Sequence, residues 1–292
     1  MSLPRILLFG KVGQVGWELR RTLAPLCELT CVDYPDVDFT KPESLRSVIA
    51  TARPQVIINA AAYTAVDKAE TETTLAMAIN AHAPSLMAAE AKKLGALLVH
   101  YSTDYVYAGD KTTPYVETDP TGPLSAYGRT KLAGDEAIQQ AGCDHLIFRL
   151  CWVYGARGAN FMLTMQRLAR ERESLRIVGD QVGSPTWSRM IAETTALALA
   201  QMQTPDTIAE RSGVYHLASS GHTSWHGFAS AIIAAMPESE RKCREVQPIP
   251  SSEYPTTTKR PAYSVMSCEK LERVFGLRLP DWKHCLDLVL EK

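Results

Sequence analysis

The chain has 292 residues, 46% hydrophobic and 22% charged, which excludes disorder as the main state and suits one large α/β domain or two lobes. Its 31 Lys and Arg stand against 32 Asp and Glu, a net charge of −1, so the basic excess usual in a nucleic-acid binder is missing. No apolar run approaches the ~18 residues that span a membrane, and the stretch between Arg5 and Lys11 is too short for a secretory signal.

Taken in order, Arg5–Phe9 reads as a buried strand, Val15–Leu23 as a helix, and Leu29–Val32 as a second strand ending at Asp33. Glu43–Thr51 follows as a helix and Val56–Asn59 as a strand. Thr73–Leu94 is a long helical stretch, bent where Pro84 removes a hydrogen bond. Leu97–Ser102 reads as a strand, Ala126–Gln140 as a helix and His145–Val153 as a further strand. Such alternation implies parallel strands joined by right-handed crossovers: an α/β fold with a Rossmann-type, doubly wound parallel sheet. Residues 1–155 form the expected dinucleotide-binding domain, and 156–292 mainly a smaller C-terminal substrate-binding lobe. In that lobe Phe161–Glu173, Ser188–Gln203 and Trp225–Met236 read as helices, and Leu175–Val178 as a short strand. Val214–Ala218 reads as a strand that rejoins the first sheet. Gln247–Pro261, with four prolines, is expected to be ordered but irregular, before two closing helical pieces.

Gly10, Gly13 and Gly16 follow the first strand and open a helix. Glycines there let the chain turn tightly and let a pyrophosphate approach the helix N-terminus, where amides and the helix dipole favour negative charge. Asp33, ending the second strand, stands where a carboxylate accepts from a ribose 2′-hydroxyl and repels a 2′-phosphate. Asp38 and Phe39 are placed to border the adenine. Tyr127 and Lys131 have i, i+4 spacing, so phenol and ammonium share one helix face. A free phenol titrates near 10; an adjacent ammonium would bring it within reach of acid–base work, ~3 pH units costing about 4 kcal/mol. Thr103, at the carboxyl end of a parallel strand, lies beside the expected cofactor crevice. Ser102 reads equally well as a plain strand-end hydroxyl.

The segments GKVGQVG (10–16), NAAAYTAVDKAE (59–70), HYSTDYVYAG (100–109), YGRTK (127–131), FRLCWVYG (148–155), GSPT (183–186) and SWHGFA (224–229) together resemble the dTDP-4-dehydrorhamnose reductase family of extended short-chain dehydrogenases/reductases. The resemblance spans residues 5 to about 285. It implies NADPH or NADH as cofactor, with Gly13, Gln14 and Val15 on the pyrophosphate, Asp33 on the adenosine ribose, and Asp38 and Phe39 near the adenine. It also places Ala62, Tyr63, Thr64 and Tyr101 against the cofactor, Thr103, Asp104 and Trp152 against the sugar, and Tyr127 as proton donor beside Lys131. The implied reaction reduces the C4 ketone of dTDP-4-dehydro-L-rhamnose. The rivals are a nucleotide-sugar epimerase or dehydratase of the same superfamily, and a non-catalytic regulatory homologue. Related dehydratases carry Asp-Glu after the strand-end Thr; here Asp104 is followed by Tyr105.

The partners so implied are a nucleotide sugar and a second copy of the chain, with no nucleic acid and no membrane. Some members of the family are Mg²⁺-dependent dimers through Glu side chains. Glu18 matches one such position, Arg189 stands at another, and no ligand cluster supports a metal. His222 and His226 lack a third ligand and read as metal-free. Arg167–Glu173 reads as a solvated helix face, and Arg260 as either a diphosphate contact or a surface residue. The 7 scattered cysteines form no Cys-x-x-Cys pair, so reduced, mostly buried thiols in a cytoplasmic protein are expected.

Overall fold

The computed structural model describes residues 3–291. Strand β1 (Arg5–Phe9) runs into the glycine loop and helix α1 (Gln14–Thr22), followed by β2 (Glu28–Val32), α2 (Pro42–Ala52) and β3 (Val56–Asn59). Next come α3 (Thr73–Met77), α4 (Ala83–Leu94), β4 (Leu97–Thr103), α5 (Ala126–Ala141) and β5 (His145–Leu150). With the strand Gly213–Leu217 these make one six-stranded sheet ordered 213–217, β5, β4, β3, β1, β2, parallel throughout. The order reverses around β1, so a crevice opens at the carboxyl ends of β1 and β3, where open α/β sheets take their ligands.

Both faces are covered, which is why the strands read as nearly continuous apolar runs. On one face Leu8, Tyr101 and Phe148 pack with Leu19 of α1 and Ile191 of the helix Ser188–Ala200. On the other, Leu7, Ile57 and Ile147 pack with Leu45 of α2, Met87 of α4 and Ile138 of α5. A third core joins the helices Phe161–Glu171, Trp225–Ala234 and Trp282–Leu290 through residues such as Met165, Phe228 and Leu286.

Four local expectations change. The strand expected over 145–153 stops at Leu150, and Trp152 takes φ +44°. Val153–Tyr154 then pairs with Thr186–Trp187, outside the main sheet. Just before Pro84 the helix takes a turn of π-helix at Ala78–His82, with the Ala83 amide donating to the Ala78 carbonyl. Gln247–Ile249 belong to a strand, Glu245–Ile249, parallel to Ser174–Val178. A short helix, Pro205–Arg211, is capped by a reciprocal Thr204–Thr207 box.

Candidate active site

The glycine loop is shaped by backbone sterics. Gly10 adopts φ +85°, and a Cβ there would lie 2.5 Å from the Ala61 nitrogen. A Cβ on Gly16 would lie 1.9 Å from the Gly10 carbonyl oxygen. Gly13 is different: a Cβ there would meet the Gly10 carbonyl oxygen at 3.6 Å, an ordinary contact, so the fold itself does not demand a glycine. Gly13 is also the N-cap of α1 and gives that end no side-chain partner. Free amides, a helix dipole and room for a ligand's approach meet at one point, which suits a pyrophosphate.

The neighbouring residues divide by what their side chains already do. The Val15 side chain packs into the sheet core, leaving its backbone to face the loop. Gln14 accepts from Asn160 Nδ2 at 2.9 Å, tying the loop to the start of the helix 161–171. The Asp33 carboxylate accepts from the Val12 amide at 3.1 Å and the Tyr34 amide at 2.9 Å, which fixes it at the rim of the loop. Lys11 is paired with Asp36 close by. Asp38 is engaged by its own turn, accepting from the Thr40 amide and hydroxyl, and Phe39 meets Phe9 edge-on. After β3, Asn80 in the π-turn clamps Tyr63, accepting from its amide at 2.8 Å and donating to its carbonyl at 3.1 Å. That clamp holds the Ala62–Thr64 backbone at the crevice, while the Tyr63 hydroxyl donates to Glu72.

The catalytic candidates converge between β4 and α5. Ser125 caps α5 by accepting from the Gly128 amide, which starts the helix just before Tyr127. Tyr127 packs with Tyr63 around Ala69, Ala76 and Ala126 and meets the Tyr105 ring edge at 5.6 Å. Burial pushes the Tyr127 phenol above its ordinary value, a hydrogen bond with Thr103 works against that, and Asp104 and Asp135 add to it. Lys131 is not among the charges acting on that phenol, contrary to the expected lowering. A proton donor is served by this arrangement, because the phenol stays protonated until an oxyanion forms beside it. Lys131 itself is 1% exposed. Its Nζ donates to the Tyr101 carbonyl at 2.6 Å and lies 3.1 Å from His100 Nε2. Burial brings the ammonium down to about 8, and Asp135 opposes that.

Side chains of β4 alternate across the sheet. Tyr101 therefore points to the α1 face, where its hydroxyl lies 2.9 Å from Thr195; only its carbonyl serves the site. His100 and Ser102 point to α5, and Ser102 donates to Asp135 at 2.8 Å. Thr103 donates to Asp104 at 3.0 Å. Asp104 is 3% exposed; burial raises its carboxyl to about 6, against hydrogen bonds from Ser264, Thr103 and Cys151. Trp152, in its left-handed conformation, stacks flat on Trp225 at 3.6 Å and leaves no room for a Cβ on Gly183. Sequence reasoning gave no role to His100, Asn59, Asn80, Asp135 or Trp225. For His100 a signal was present: it lies two positions before Ser102, on the strand face that meets Lys131.

Other features resolve simply. The His226 ring reaches the Val246 carbonyl at 3.0 Å, and His222 precedes the helix that holds His226. Arg260 pairs with Asp67 at 3.2 Å, and Arg167 pairs with Glu171 on an exposed helix face. All 7 cysteines are free. The residues at the implied Mg²⁺ position do not suit a cation. Burial pushes the Glu18 carboxyl up, while Arg189, Arg21 and Arg157 supply positive charge around it, and Arg189 is bonded to Glu193 at 2.7 Å. Among the described residues no group of three His, Cys, Asp or Glu side chains could hold a metal. No described helix is long and apolar enough to cross a membrane.

The model of the RmlD substrate binding domain family matches residues 4–292. A dTDP-4-dehydrorhamnose reductase of Burkholderia thailandensis is 50% identical over 289 residues, covering 97% of each chain. The crystal structure of a dTDP-4-dehydrorhamnose reductase from Clostridium acetobutylicum superposes with a TM-score of 0.90 at 35% identity, over 98% of both chains. That of the Bacillus anthracis reductase in complex with NADP gives 0.89 at 33% identity, over 99% of both.

Proposed function

The chain belongs to the dTDP-4-dehydrorhamnose reductase family, and from that premise we infer how its own residues carry out the reaction. The enzyme reduces the C4 ketone of dTDP-4-dehydro-L-rhamnose to dTDP-L-rhamnose, using NADPH or NADH, in dTDP-rhamnose biosynthesis. When bound with its pyrophosphate at the glycine loop, the reduced cofactor would supply the hydride. The α1 amides and Gly13 hold the pyrophosphate, and Asp33 takes a ribose hydroxyl. Thr103 and Asp104 orient the sugar by hydrogen bonds, and Trp152, backed by Trp225, gives it an apolar wall. Tyr127 donates its proton to the oxygen that becomes an alkoxide at C4. Lys131, whose Nζ donates to the Tyr101 carbonyl and lies beside His100, keeps a hydrogen for the ribose side. The enzyme works in the cytoplasm.

What supports this reading is that Tyr127, Lys131 and Thr103 come together between β4 and α5 in a chain whose residues 4–292 match the family. The dehydratase alternative needs a base for a C–H proton. Tyr105 stands where a Glu would serve, and burial, with Asp104 next to it, pushes its phenol well above its ordinary value, so it does not supply one. The test is purified protein with dTDP-4-dehydro-L-rhamnose and with dTDP-glucose. One cofactor oxidised per ketone reduced, and no 4-keto-6-deoxy sugar from dTDP-glucose, supports the reductase. The keto sugar formed without net cofactor oxidation identifies a dehydratase, and inertness toward both substrates identifies a regulatory homologue.

A further inference from the structure

His100 is fully buried and lies between two nitrogen donors. Its Nδ1 is 3.1 Å from Asn59 Nδ2, and its Nε2 is 3.1 Å from Lys131 Nζ. A neutral imidazole has one N–H and one acceptor nitrogen, so it cannot accept from both. The orientation of Asn59 decides between them. Its Oδ1 accepts from the Ala61 amide at 3.2 Å, which turns its NH₂ toward the imidazole, so Nδ1 must be the accepting nitrogen. The proton of His100 then sits on Nε2 and points at Lys131, presenting a donor where an ammonium needs an acceptor.

We propose that His100, clamped in the Nε2–H tautomer by Asn59, is a positioning residue that lowers the proton affinity of Lys131 and so readies its ammonium to release a proton during the reduction. The charged and titratable groups around the pair fit this role. From α5 come Tyr127 and Asp135; from β5 comes Arg149, whose Nε lies 3.4 Å from Asp135 Oδ2; Asp104 follows β4. Asp135 is the one anion among them beside His100, 4.0 Å from Nε2. That oxygen, Oδ1, has no hydrogen-bond partner, and Oδ2 is shared between Ser102 and Arg149. Asp135 thus steadies the positive charge from a distance without giving Nε2 a bonded acceptor. Burial and the Lys131 charge hold the imidazole well below its ordinary value, so His100 stays neutral and acts through its tautomer.

Two measurements test this on the whole enzyme. The first is the long-range ¹⁵N spectrum of protein labelled at histidine, which reads the tautomer directly and does not depend on the reductase reading. His216, the other deeply buried imidazole, faces the Ser267 carbonyl through Nδ1 and so must carry its proton there. His226 also faces a carbonyl through Nε2, so the spectrum is recorded on the His226→Asn protein; there a non-titrating Nε2–H signal belongs to His100, and its persistence from pH ~6 to ~9 is expected for an imidazole that never charges. Two non-titrating Nδ1–H signals and no non-titrating Nε2–H signal would overturn the proposal. The second measurement rests on Lys131 acting in the reduction. His100→Gln offers a carbonyl oxygen to the ammonium, so the alkaline limb of kcat/KM moves up by about one pH unit, a tenfold gain in proton affinity, while a purely structural change lowers kcat without moving the limb. An unmoved limb in a folded, active variant overturns the proposal. A wild-type enzyme with no reductase activity would instead overturn the assigned reaction, leaving the tautomer measurement standing.

Discussion

Tyr127→Phe removes one oxygen and keeps the ring that packs around Ala69, Ala76 and Ala126 and meets Tyr105 edge-on, so the fold of the site is expected to survive. What remains near the reacting oxygen is a poor proton source. The Thr103 hydroxyl is too weak an acid to replace the phenol, and the Asp104 carboxyl ionises near 6, so only about 1% of it carries a proton at pH ~8. Losing a positioned general acid costs about 10²–10⁴ in rate, or roughly 3–5 kcal/mol of barrier. The drop is expected in kcat, followed as cofactor oxidation under saturating sugar, with KM for the sugar changing little. If Asp104 substitutes weakly as the acid, the residual rate climbs as pH falls through about 6. Turnover within tenfold of wild type at neutral pH would refute Tyr127 as the proton donor.

Asp33→Ala removes the carboxylate fixed beside the loop by the Val12 and Tyr34 amides; the ratio of kcat/KM for NADPH over NADH should rise, and an unchanged ratio would place Asp33 away from the ribose. Gly16→Ala forces a methyl against the Gly10 carbonyl and should lower the melting temperature and the yield of folded protein. Gly13→Ala meets no protein atom closer than 3.6 Å, so it should fold normally and bind the cofactor more weakly, measurable by fluorescence titration; equal thermal damage from both would sink the cradle argument. Asp104 is a carboxylate above about 6 and a neutral acid below it, so KM for the sugar should rise as pH falls through that value, and Asp104→Asn should flatten the profile. A KM that tracks pH identically in the variant would remove Asp104 from sugar binding.

The features legible along the chain are local ones. The strand–glycine–helix order fixes the phosphate cradle because it depends on neighbouring φ angles and on the free end of one helix. Tyr127 and Lys131 share a face because 3.6 residues make a turn. Asp33 lies at its strand end because the first β–α–β crossover has a narrow range of lengths. The rest comes from contacts between distant segments. Asn80 reaches Tyr63 and Thr130 from a turn of π-helix just before Pro84. Trp152 finds Trp225 only because the chain leaves the sheet after Leu150 in a left-handed step. Tyr101 faces away from the chemistry and His100 toward it because a strand's pleat sends successive side chains to opposite faces, and which face meets α5 depends on how the helices pack. The proton affinity of Lys131 is a property of the closed core in the same way. It depends on the exclusion of water around Nζ and on an imidazole whose tautomer is set by Asn59, 41 residues away from it in the chain.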